Sequence, residues 1–582
     1  MRLKKAIQDE RGIALVVALL VALVVAAISV GAAMLSTSAT TINRYNERLS
    51  TLEAVAEAGL EEVRSKINGN KTLYPDSLYN TIENGVTVTD AGGTTIPNVV
   101  RYTYVGPTGI TSGQYGVFGS IVSVAEDAYG NRVVKRGEIS QESFAKYAYF
   151  TTVEGNIWFA NNDQIWGPVH SNDRIRIYTT GATFHSTVET AEDIYQKEYA
   201  TFMQGYTEWG PTIGMPTTAD LDKLRVQGQA GNTAYVGNTN GGHGEATTRI
   251  EFMALDLNGD GDSTDANEGF IRVYQHLTDP EWVTGDVPAD YSSRYLENAD
   301  HCGDRHPGQG FISAINHPAG GHDWQVAVTS ANRRCYLGGA DSIWGAFDAG
   351  PDPRGGVWLP WTGGVSPLVA GRPDGAYLHP INRAMNPTFK GVIFVEGKVV
   401  ISGTLRGKVT VAATDDIIIG DDVEYITDPG AGTCSDRLGI FSGDDVVIAD
   451  NTLNAPVVPY SGQPYRTFDE TASEFIHGTV LALNIFTVEN YNSGSSNAEP
   501  CESSINGRGC IYLTGGIIQR QRGAVGLTSG RGYIKRYSYD QCVLDDPPPY
   551  FPTTGYFTRG RLFEVDPTNF DVAQYFRLLT PY

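Results

Sequence analysis

Acidic side chains crowd one short segment of the chain, in a spacing that suits a hard cation. The segment reads DLNGDGDSTDANE from residue 256 to residue 268. In an EF-hand loop, oxygen ligands at positions 1, 3 and 5 hold calcium, and glycine at position 6 allows the sharp bend. The match slips at position 12, which is Asn267, and the flanks TRIEFMAL and FIRVYQHL have strand-like patterns. The pattern predicts a calcium-binding hairpin tip, with a solvated acidic turn as the alternative. The predicted ligands are Asp256, Asn258, Asp260, Asp262 and Glu268.

Paired aspartates elsewhere raise the question of catalysis. Asp415-Asp416, Asp421-Asp422 and Asp444-Asp445 each precede a short apolar run. Two carboxylates could serve a glycosidase, or hold the calcium of a polysaccharide lyase on a β-helix. Aspartate at a turn also accepts hydrogen bonds from its own backbone, which explains the repeats without chemistry. We therefore expect no catalytic residue, with a membrane-anchored polysaccharide-active enzyme as the alternative.

The chain has six cysteines and no CxxC pair. An even number without that motif favours disulfides formed in an oxidising compartment. Sequence proximity pairs Cys302 with Cys335, Cys434 with Cys542 and Cys501 with Cys510, although six cysteines allow 15 connectivities. The histidines around Cys302 match no common zinc motif, so we interpret them as loop residues. They are His301, His306, His317 and His322.

Composition indicates a folded chain of several domains that does not bind nucleic acid. Of its 582 residues, 41% are hydrophobic and 19% charged, which excludes a disordered chain. Subtracting 66 acidic from 43 basic residues gives a formal net charge of −23. A surface of that sign repels phosphate backbones.

The N-terminal region predicts one long helix. The 23 residues from 13 to 35 are almost wholly apolar, long enough to span a bilayer. Basic residues before them keep the N-terminus cytoplasmic, so the rest of the chain is exported. An apolar stripe at helical spacing follows, with no proline from Ile13 to Ile67, and Asn68-Gly69 ends the pattern. The stripe consists of Leu49, Leu52, Ala56, Leu60, Val63 and Ile67.

This region resembles the N-terminus of type IV pilus minor pilins of the PilX kind. A basic leader ends in Gly12 before Ile13, and Glu57-Ala58-Gly59-Leu60 lies within LEAVAEAGLEEV. The resemblance implies cleavage by prepilin peptidase between Gly12 and Ile13, and methylation of Ile13. It also implies that the helix leaves the bacterial inner membrane to pack against other pilin subunits. Val17 stands where major pilins have glutamate, a departure that tip subunits share.

The remaining sequence favours a mainly β fold. Strand-like runs at 99–105, 116–125 and 131–140 predict the antiparallel meander of a pilin-like α+β head. Further along, β-branched runs in 391–425 alternate with Gly, Asp and Thr corners, as in a β-solenoid. A β-sandwich ectodomain is the structural alternative. The fold class is therefore mainly β with one long N-terminal α-helix, a pilin-like head and a β-solenoid-like ectodomain.

The predicted organisation has six parts. They are a leader (1–12), the transmembrane and pilin helix (13–69), the meander (70–145), a first solenoid block (146–227), an insertion with the calcium loop and a disulfide (228–385), and a second block with the C-terminal region (386–582). We expect a non-catalytic minor pilin or pilus-tip subunit, extracellular after assembly, that presents its ectodomain for pilus assembly or for adhesion to a surface or host ligand. A large tip pseudopilin of a type II secretion system is a further alternative.

Overall fold

A computed structural model describes most of the chain. It covers residues 6–75, 78–108, 116–160, 163–231, 235–236, 248–276, 305–306, 310–311, 356–372, 375–448, 474–488, 491, 510–528 and 532–580. Residue contacts divide the chain into two compact units. The first unit comprises Met1–Ile110, Phe118–Ser140 and Phe557–Tyr582, and the second comprises Thr111–Val117 and Gln141–Tyr556.

The described residues form long and short regular elements. The α-helices are α1 (Ala6–Gly69), α2 (Thr218–Ala230) and α3 (Val572–Leu579). The first strands are β1 (Asn80–Thr89), β2 (Thr95–Pro107), β3 (Phe118–Asp127), β4 (Arg132–Ser143), β5 (Tyr149–Val153), β6 (Asp163–Ile165), β7 (Val169–Ser171), β8 (Ile175–Arg176), β9 (Ala182–Phe184), β10 (Val188–Thr190), β11 (Ile194–Tyr195), β12 (Ala200–Phe202) and β13 (Tyr206–Thr207). The middle strands are β14 (Tyr235–Val236), β15 (Thr248–Ala254), β16 (Gly269–His276), β17 (Arg305–His306), β18 (Gly310–Phe311), β19 (Gly356–Trp358) and β20 (His379–Pro380). The last strands are β21 (Val392–Val395), β22 (Val399–Leu405), β23 (Lys408–Ala413), β24 (Ile417–Tyr425), β25 (Arg437–Ser442), β26 (Val446–Ile448), β27 (Glu474–Val488), β28 (Cys510–Arg522), β29 (Ile534–Ser538) and β30 (Thr553–Val565).

The first unit is a long helix packed on an antiparallel sheet. Helix α1 has 64 residues, about 96 Å at 1.5 Å per residue, and ends at Gly69 as the sequence predicts. The sheet order is β1-β2-β3-β4-β30, and β1 to β4 pair antiparallel with their neighbours in the chain. The predicted runs at 99–105, 116–125 and 131–140 lie within β2, β3 and β4, apart from one or two end residues. The mainly β fold class with one long N-terminal helix is confirmed.

The second unit is a stack of short strands paired mostly in parallel, called here the parallel stack. One row runs β14-β21-β23-β25-β27-β28-β5-β7-β10-β13, and every neighbouring pair in it is parallel. Strands β15, β22, β24 and β26 form a second parallel row, as do β29, β6, β9 and β12. The antiparallel pairs of a Greek-key sandwich are confined, among the described strands of this unit, to the hairpin of β15 and β16 and the neighbours of β16, together with β17 and β18.

The order of strands in the parallel stack differs from their order in the chain. The chain enters at β5 in the middle of the stack and proceeds to β13 at one end. After α2 it resumes at β14 and β15 at the other end, and returns through β21 to β28. The last strands, β28 and β29, then pair with β5 and β6. One continuous stack therefore replaces the two separate blocks of the sequence prediction.

Side chains fill both faces of the stacked strands. Ile393 and Val395 of β21 point into the main core of the unit. Phe394, between them, belongs to a second cluster with Leu221 and Leu224 of α2. Strands covered on both faces read as continuous apolar runs, which is why VIFV shows no polar alternation.

Glycines allow two long strands to bend together. Gly478 of β27 pairs in register with Gly515 of β28, at φ of 156° and 150°. A Cβ on Gly515 would lie 1.9 Å from the carbonyl oxygen of Gly478, so no side chain fits there. This close approach lets both strands turn the same corner of the stack.

Two predicted domain boundaries differ from the structure. Residues 557–582, predicted with the second block, belong to the first unit, because β30 extends the sheet beside β4. Within the predicted insertion 228–385, β14 and β15 pair in parallel with β21 and β22, so they are part of the stack. Both differences arise because backbone pairing joins segments that are distant in sequence.

Candidate functional site

The C-terminal half of α1 is fixed to the sheet by apolar packing. Leu52, Val55 and Ala56 are buried in one cluster with residues of β1, β2 and β3. The helix residues Val63 and Ile67 are fully buried further along the same stripe. The predicted amphipathic stripe therefore faces the sheet, apart from Leu49, which is half-buried.

The motif Glu57-Ala58-Gly59-Leu60 packs directly against the sheet. A Cβ on Gly59 would lie 2.4 Å from Ser123 Oγ and 2.7 Å from Arg101 Cδ, so only glycine fits without a shift. Glu57 accepts a hydrogen bond from Lys135 Nζ at 2.9 Å, and Leu60 is buried. In this chain the motif has a packing role.

A charged network lies beside the motif, and the sequence analysis missed it. Arg101 binds Glu83 with two hydrogen bonds, Nε to Oε2 at 2.8 Å and Nη2 to Oε1 at 2.9 Å. Glu83 also accepts a hydrogen bond from Lys66 of the helix at 2.7 Å, and Arg101 contacts Glu62. Burial opposes ionisation of Glu83, but the hydrogen bonds from Arg101 and Lys66 outweigh it and lower its pKa to about 2. The sequence held one signal for this network: Arg101 in VVRYTYV is a charged residue on the apolar face of a strand.

The N-terminal half of α1 has no such cover. Among the described residues, the helix Ile13–Gly69 is apolar enough and long enough to cross a membrane. Its most apolar segment has a mean hydropathy of 3.2, and no residue of that segment is buried. Ile13 and Val17 are 64% and 52% exposed. The helix backbone continues through Gly12 and Ile13, and cleavage there stays a prediction. One rigid element thus joins a sheet-bound half to a bare apolar half.

The acidic loop connects β15 and β16, which pair antiparallel from Thr248↔Gln275 to Ala254↔Gly269. Both predicted flanking strands are present. Asp256 accepts hydrogen bonds from the backbone N–H groups of Gly259 and Gly261, at 2.6 and 3.0 Å. Glu268 is buried and accepts from Leu257 and Asp265, both at 2.8 Å. Asn258, Asp260 and Asp262 each accept a loop N–H in the same way. The hairpin is formed, and calcium binding stays a prediction.

Two of the predicted disulfide residues pair as expected. Cys434 and Cys542, 108 residues apart, form a disulfide with a Cα–Cα distance of 5.5 Å. Cys510 is also disulfide-bonded. Cys302, Cys335 and Cys501 lie outside the described residues, as do three of the four histidines and the side chain of His306.

Parallel pairing gathers aspartates that precede neighbouring strands of the parallel stack. Ligand oxygens of Asp415, Asp416 and Asp444 lie within 4.8 Å of one another. Lys398 contacts Asp416 at 2.6 Å, and Asp445 accepts a hydrogen bond from the N–H of Ile485 at 3.1 Å. Burial raises the pKa of Asp445 to about 6, and the nearby carboxylates add to the rise. As predicted, Asp415-Asp416 and Asp444-Asp445 precede β24 and β26, and the register of these strands brings them together. The prediction is wrong for Asp421-Asp422, which lie within β24 because that strand continues past them to Tyr425.

Comparison with known proteins adds little to this description. No family model matches the chain. No curated protein matches it either. Among solved structures, the crystal structure of the competence-associated pilin ComZ from Thermus thermophilus matches 88% of this chain and 97% of that chain. The sequence identity is 10% and the TM-score 0.26, a level that does not show a shared fold.

Proposed function

We propose that this chain is a non-catalytic minor subunit of a type IV pilus or related pseudopilus, of the PilX-like kind. The observation that carries the proposal is the unbroken helix α1, whose apolar N-terminal half is exposed while its C-terminal half is packed on an antiparallel sheet. An apolar surface of that length needs lipid or other helices around it. The inner membrane supplies lipid before assembly, and other pilin helices replace it in the filament.

The C-terminal half of α1 supports this assignment because it is held firmly on the sheet of the first unit. Gly59 allows close contact, and Lys66, Glu62, Glu83 and Arg101 form ion pairs across it. A helix held in this way places the first unit at a fixed point relative to its filament partners.

Processing is the most direct test. Mass spectrometry of purified pili should find this chain beginning at methylated Ile13. Gly12→Ala should leave an uncut precursor in the membrane, because prepilin peptidase requires the glycine in the pilins that this leader resembles. Gly31→Ala is the matched control, since Gly31 lies in the same helix with no atom within 4 Å of its Cβ position. Wild-type protein that keeps its leader in a strain with active peptidase would refute the assignment.

We further propose that the subunit is rare and near the pilus tip. Val17 has no charge to pair with the terminal amine of a neighbouring subunit in a low-dielectric filament core. The second unit, from residue 141 to 556, is large for a repeating filament subunit. Immunogold labelling should mark pilus ends, and even labelling along the shaft would contradict this position.

The corner aspartates support a non-catalytic role for the second unit. Asp416 accepts the N–H of Asp445 at 3.1 Å and pairs with Lys398, and Asp445 accepts the N–H of Ile485. These hydrogen bonds join segments 29 and 40 residues apart, so the carboxylates hold neighbouring segments of the parallel stack together. We propose that this unit is presented outside the cell for adhesion or pilus assembly.

A further inference from the structure

A cavity of about 390 Å³ lies in the second unit beside the paired strands β6 and β29. Asn156, Trp158 and Asp163 lie on one side, Thr528 and Lys535 lie on the other, and Tyr491 also lines the cavity. Parallel pairing of β29 with β6 brings the two sides together. Its volume falls in the range of about 300 to 1,000 Å³ that is typical of small-molecule sites.

A charged pair forms part of the cavity wall. Lys535 Nζ donates to Asp163 Oδ2 at 2.7 Å, and their side chains are 14% and 4% exposed. The same Asp163 oxygen accepts the N–H of Ala160 at 3.0 Å, which holds the carboxylate in place. An ammonium has three donors, and Asp163 occupies one of them. Lys535 therefore has donor capacity at the cavity wall.

A second buried pair of opposite charges lies nearby. Arg522 donates to Glu154 at 2.9 Å, with both side chains almost fully buried. Burial lowers the pKa of Lys535, and the positive charge of Arg522 contributes to the decrease. Asp163 and Glu154 oppose that decrease, and an incoming carboxylate would add a further negative partner for the Lys535 ammonium.

Aromatic and neutral polar groups complete the wall. The indole of Trp158 is held edge-to-face by Tyr178 and Tyr195, with ring centroids 5.9 and 5.7 Å away. A fixed aromatic face packs against the C–H face of a sugar ring. The exposed side chains of Asn156 and Thr528 offer donors and acceptors for hydroxyl groups.

We propose that this cavity binds an acidic sugar, a hexuronate whose carboxylate contacts Lys535 and whose ring packs on Trp158. A single uronic acid fits better than a long polyanion, because the chain's net charge repels extended negative ligands. Binding is a property of the second unit and does not require that the chain enter a filament.

Isothermal titration calorimetry on the full chain in neutral detergent micelles tests the site. The probes are galacturonate and glucuronate, with galactose and glucose as uncharged counterparts at equal ionic strength. We expect the acids to bind about tenfold or more tightly than the neutral sugars, since a hydrogen bond between two charged groups is stronger than one between neutral groups. No heat with any sugar, or equal affinity for acids and neutral sugars, would overturn the proposal.

Two variants and two controls locate the site. Lys535→Met should weaken hexuronate binding by about tenfold, and Trp158→Ala should weaken it without leaving Asp163 unpaired. The controls Lys223→Met and Trp209→Ala alter exposed residues that do not line the cavity, and should bind as wild type does. Circular dichroism melting establishes that each variant is folded. A folded Trp158→Ala variant with wild-type affinity would refute the cavity as the site.

Discussion

The two units use charged residues in different ways. In the first unit, ion pairs join α1 to the sheet, and the helix partners Glu57 and Glu62 keep side-chain exposures of 50% and 47%. In the second unit, Glu154 and Arg522 lie inside the core with exposures of 0% and 2%. The ion pairs of the first unit add to a helix–sheet contact that apolar side chains already form. The pair in the second unit is interior, and its partners are 368 residues apart. We infer that it helps to specify which strands of the parallel stack pair with each other.

The units also differ in how far apart their paired segments lie in the chain. Strands β1 to β4 pair with their neighbours in sequence, which involves short loops. Strand β28 pairs with β5, so the parallel stack closes only after the whole of its sequence is present. Contacts of long sequence separation fold slowly, so the first four strands should form before the stack closes.

The largest expected effect comes from Arg522→Met, which leaves the Glu154 carboxylate in the core without its counter-charge. The free energy of unfolding of the second unit should fall by about 3–5 kcal/mol. Urea denaturation followed by hydrogen exchange, read on peptides from each unit, measures this. Peptides of the first unit should keep their protection.

Arg174→Met is the control for that change. Its partner is Asp193, and the two side chains are 41% and 33% exposed, so the loss should be much smaller than in Arg522→Met. Equal losses in the two variants would show that burial does not distinguish these pairs.

Calcium should stabilise the acidic hairpin of the second unit. Five formal negative charges in residues 256–268 repel one another, and a divalent cation offsets that repulsion. At 100 times its dissociation constant, calcium would stabilise the folded unit by about 2.7 kcal/mol. Protease resistance and hydrogen-exchange protection near residues 250–275 should rise with calcium, and Asp260→Ala should abolish the rise.

The first unit supplies a matched hairpin for the calcium experiment. Asp90 accepts the N–H groups of Gly92 and Thr94 at 2.9 and 2.8 Å, as Asp256 does in its own loop, but without the surrounding carboxylates. Peptides around Asp90 should not respond to calcium. If calorimetry detects no binding at millimolar calcium, the hairpin is a solvated turn.

Gly59→Ala tests the helix–sheet contact of the first unit. The new methyl group would meet Ser123 and Arg101 well inside normal contact distance, and overpacking of this kind costs about 1–3 kcal/mol. Gly31→Ala, which adds the same methyl to an open position, should leave the sheet unaffected. The readout is exchange protection in β2 and β3, and unchanged protection in Gly59→Ala would mean that the helix shifts to accommodate the methyl.

The smallest effect concerns Asp445, whose folded pKa of about 6 lies above its ordinary value of 3.8. Ionisation is therefore unfavourable in the folded state, and stability falls as the pH rises from about 4 through 6. Asp445→Asn keeps an oxygen acceptor for Ile485 and should add about 1 kcal/mol at pH 7, after allowance for solvent screening. The gain should vanish below about pH 4, where the carboxyl is protonated in both states.

Glu83 in the first unit has the opposite dependence. Its folded pKa of about 2 lies below the ordinary 4.5, so its contribution is present above pH 4.5 and is lost as the pH falls toward 2. Glu83→Gln should therefore destabilise the first unit at pH 7, with a difference that shrinks in acid. Melting temperatures of wild type, Asp445→Asn and Glu83→Gln from pH 2.5 to 7.5 test these predictions. With rising pH, the difference from wild type should become more positive for Asp445→Asn and more negative for Glu83→Gln, and a change in the same direction for both would contradict the charge assignments.

The candidate site on α1 could be predicted in part. The stripe, the bare apolar half and the motif around Gly59 follow from residue spacing, because a helix sets its own periodicity. Arg101, Glu83 and Lys135 could not be placed, since a strand residue's partner depends on which face the helix covers. The same limit applies to the cavity proposed to bind an acidic sugar, because its Lys535 and Asp163 are 372 residues apart.

The sequence by itself determined the elements whose cause is local. The single helix to Gly69, the strands β2 to β4 and β21 to β24 and the hairpin around residue 260 follow from periodicity or turn residues. Six cysteines allow 15 connectivities, and the structure decided the pair Cys434–Cys542. Only the tertiary structure decided that β28 pairs with β5 and that residues 557–582 return to the first unit. Short strands that are apolar on both faces have many compatible partners, because their pattern carries no face or register information. The contacts that join them, such as the interior pair of Glu154 and Arg522 and the facing Gly478 and Gly515, act between segments that are far apart in the chain.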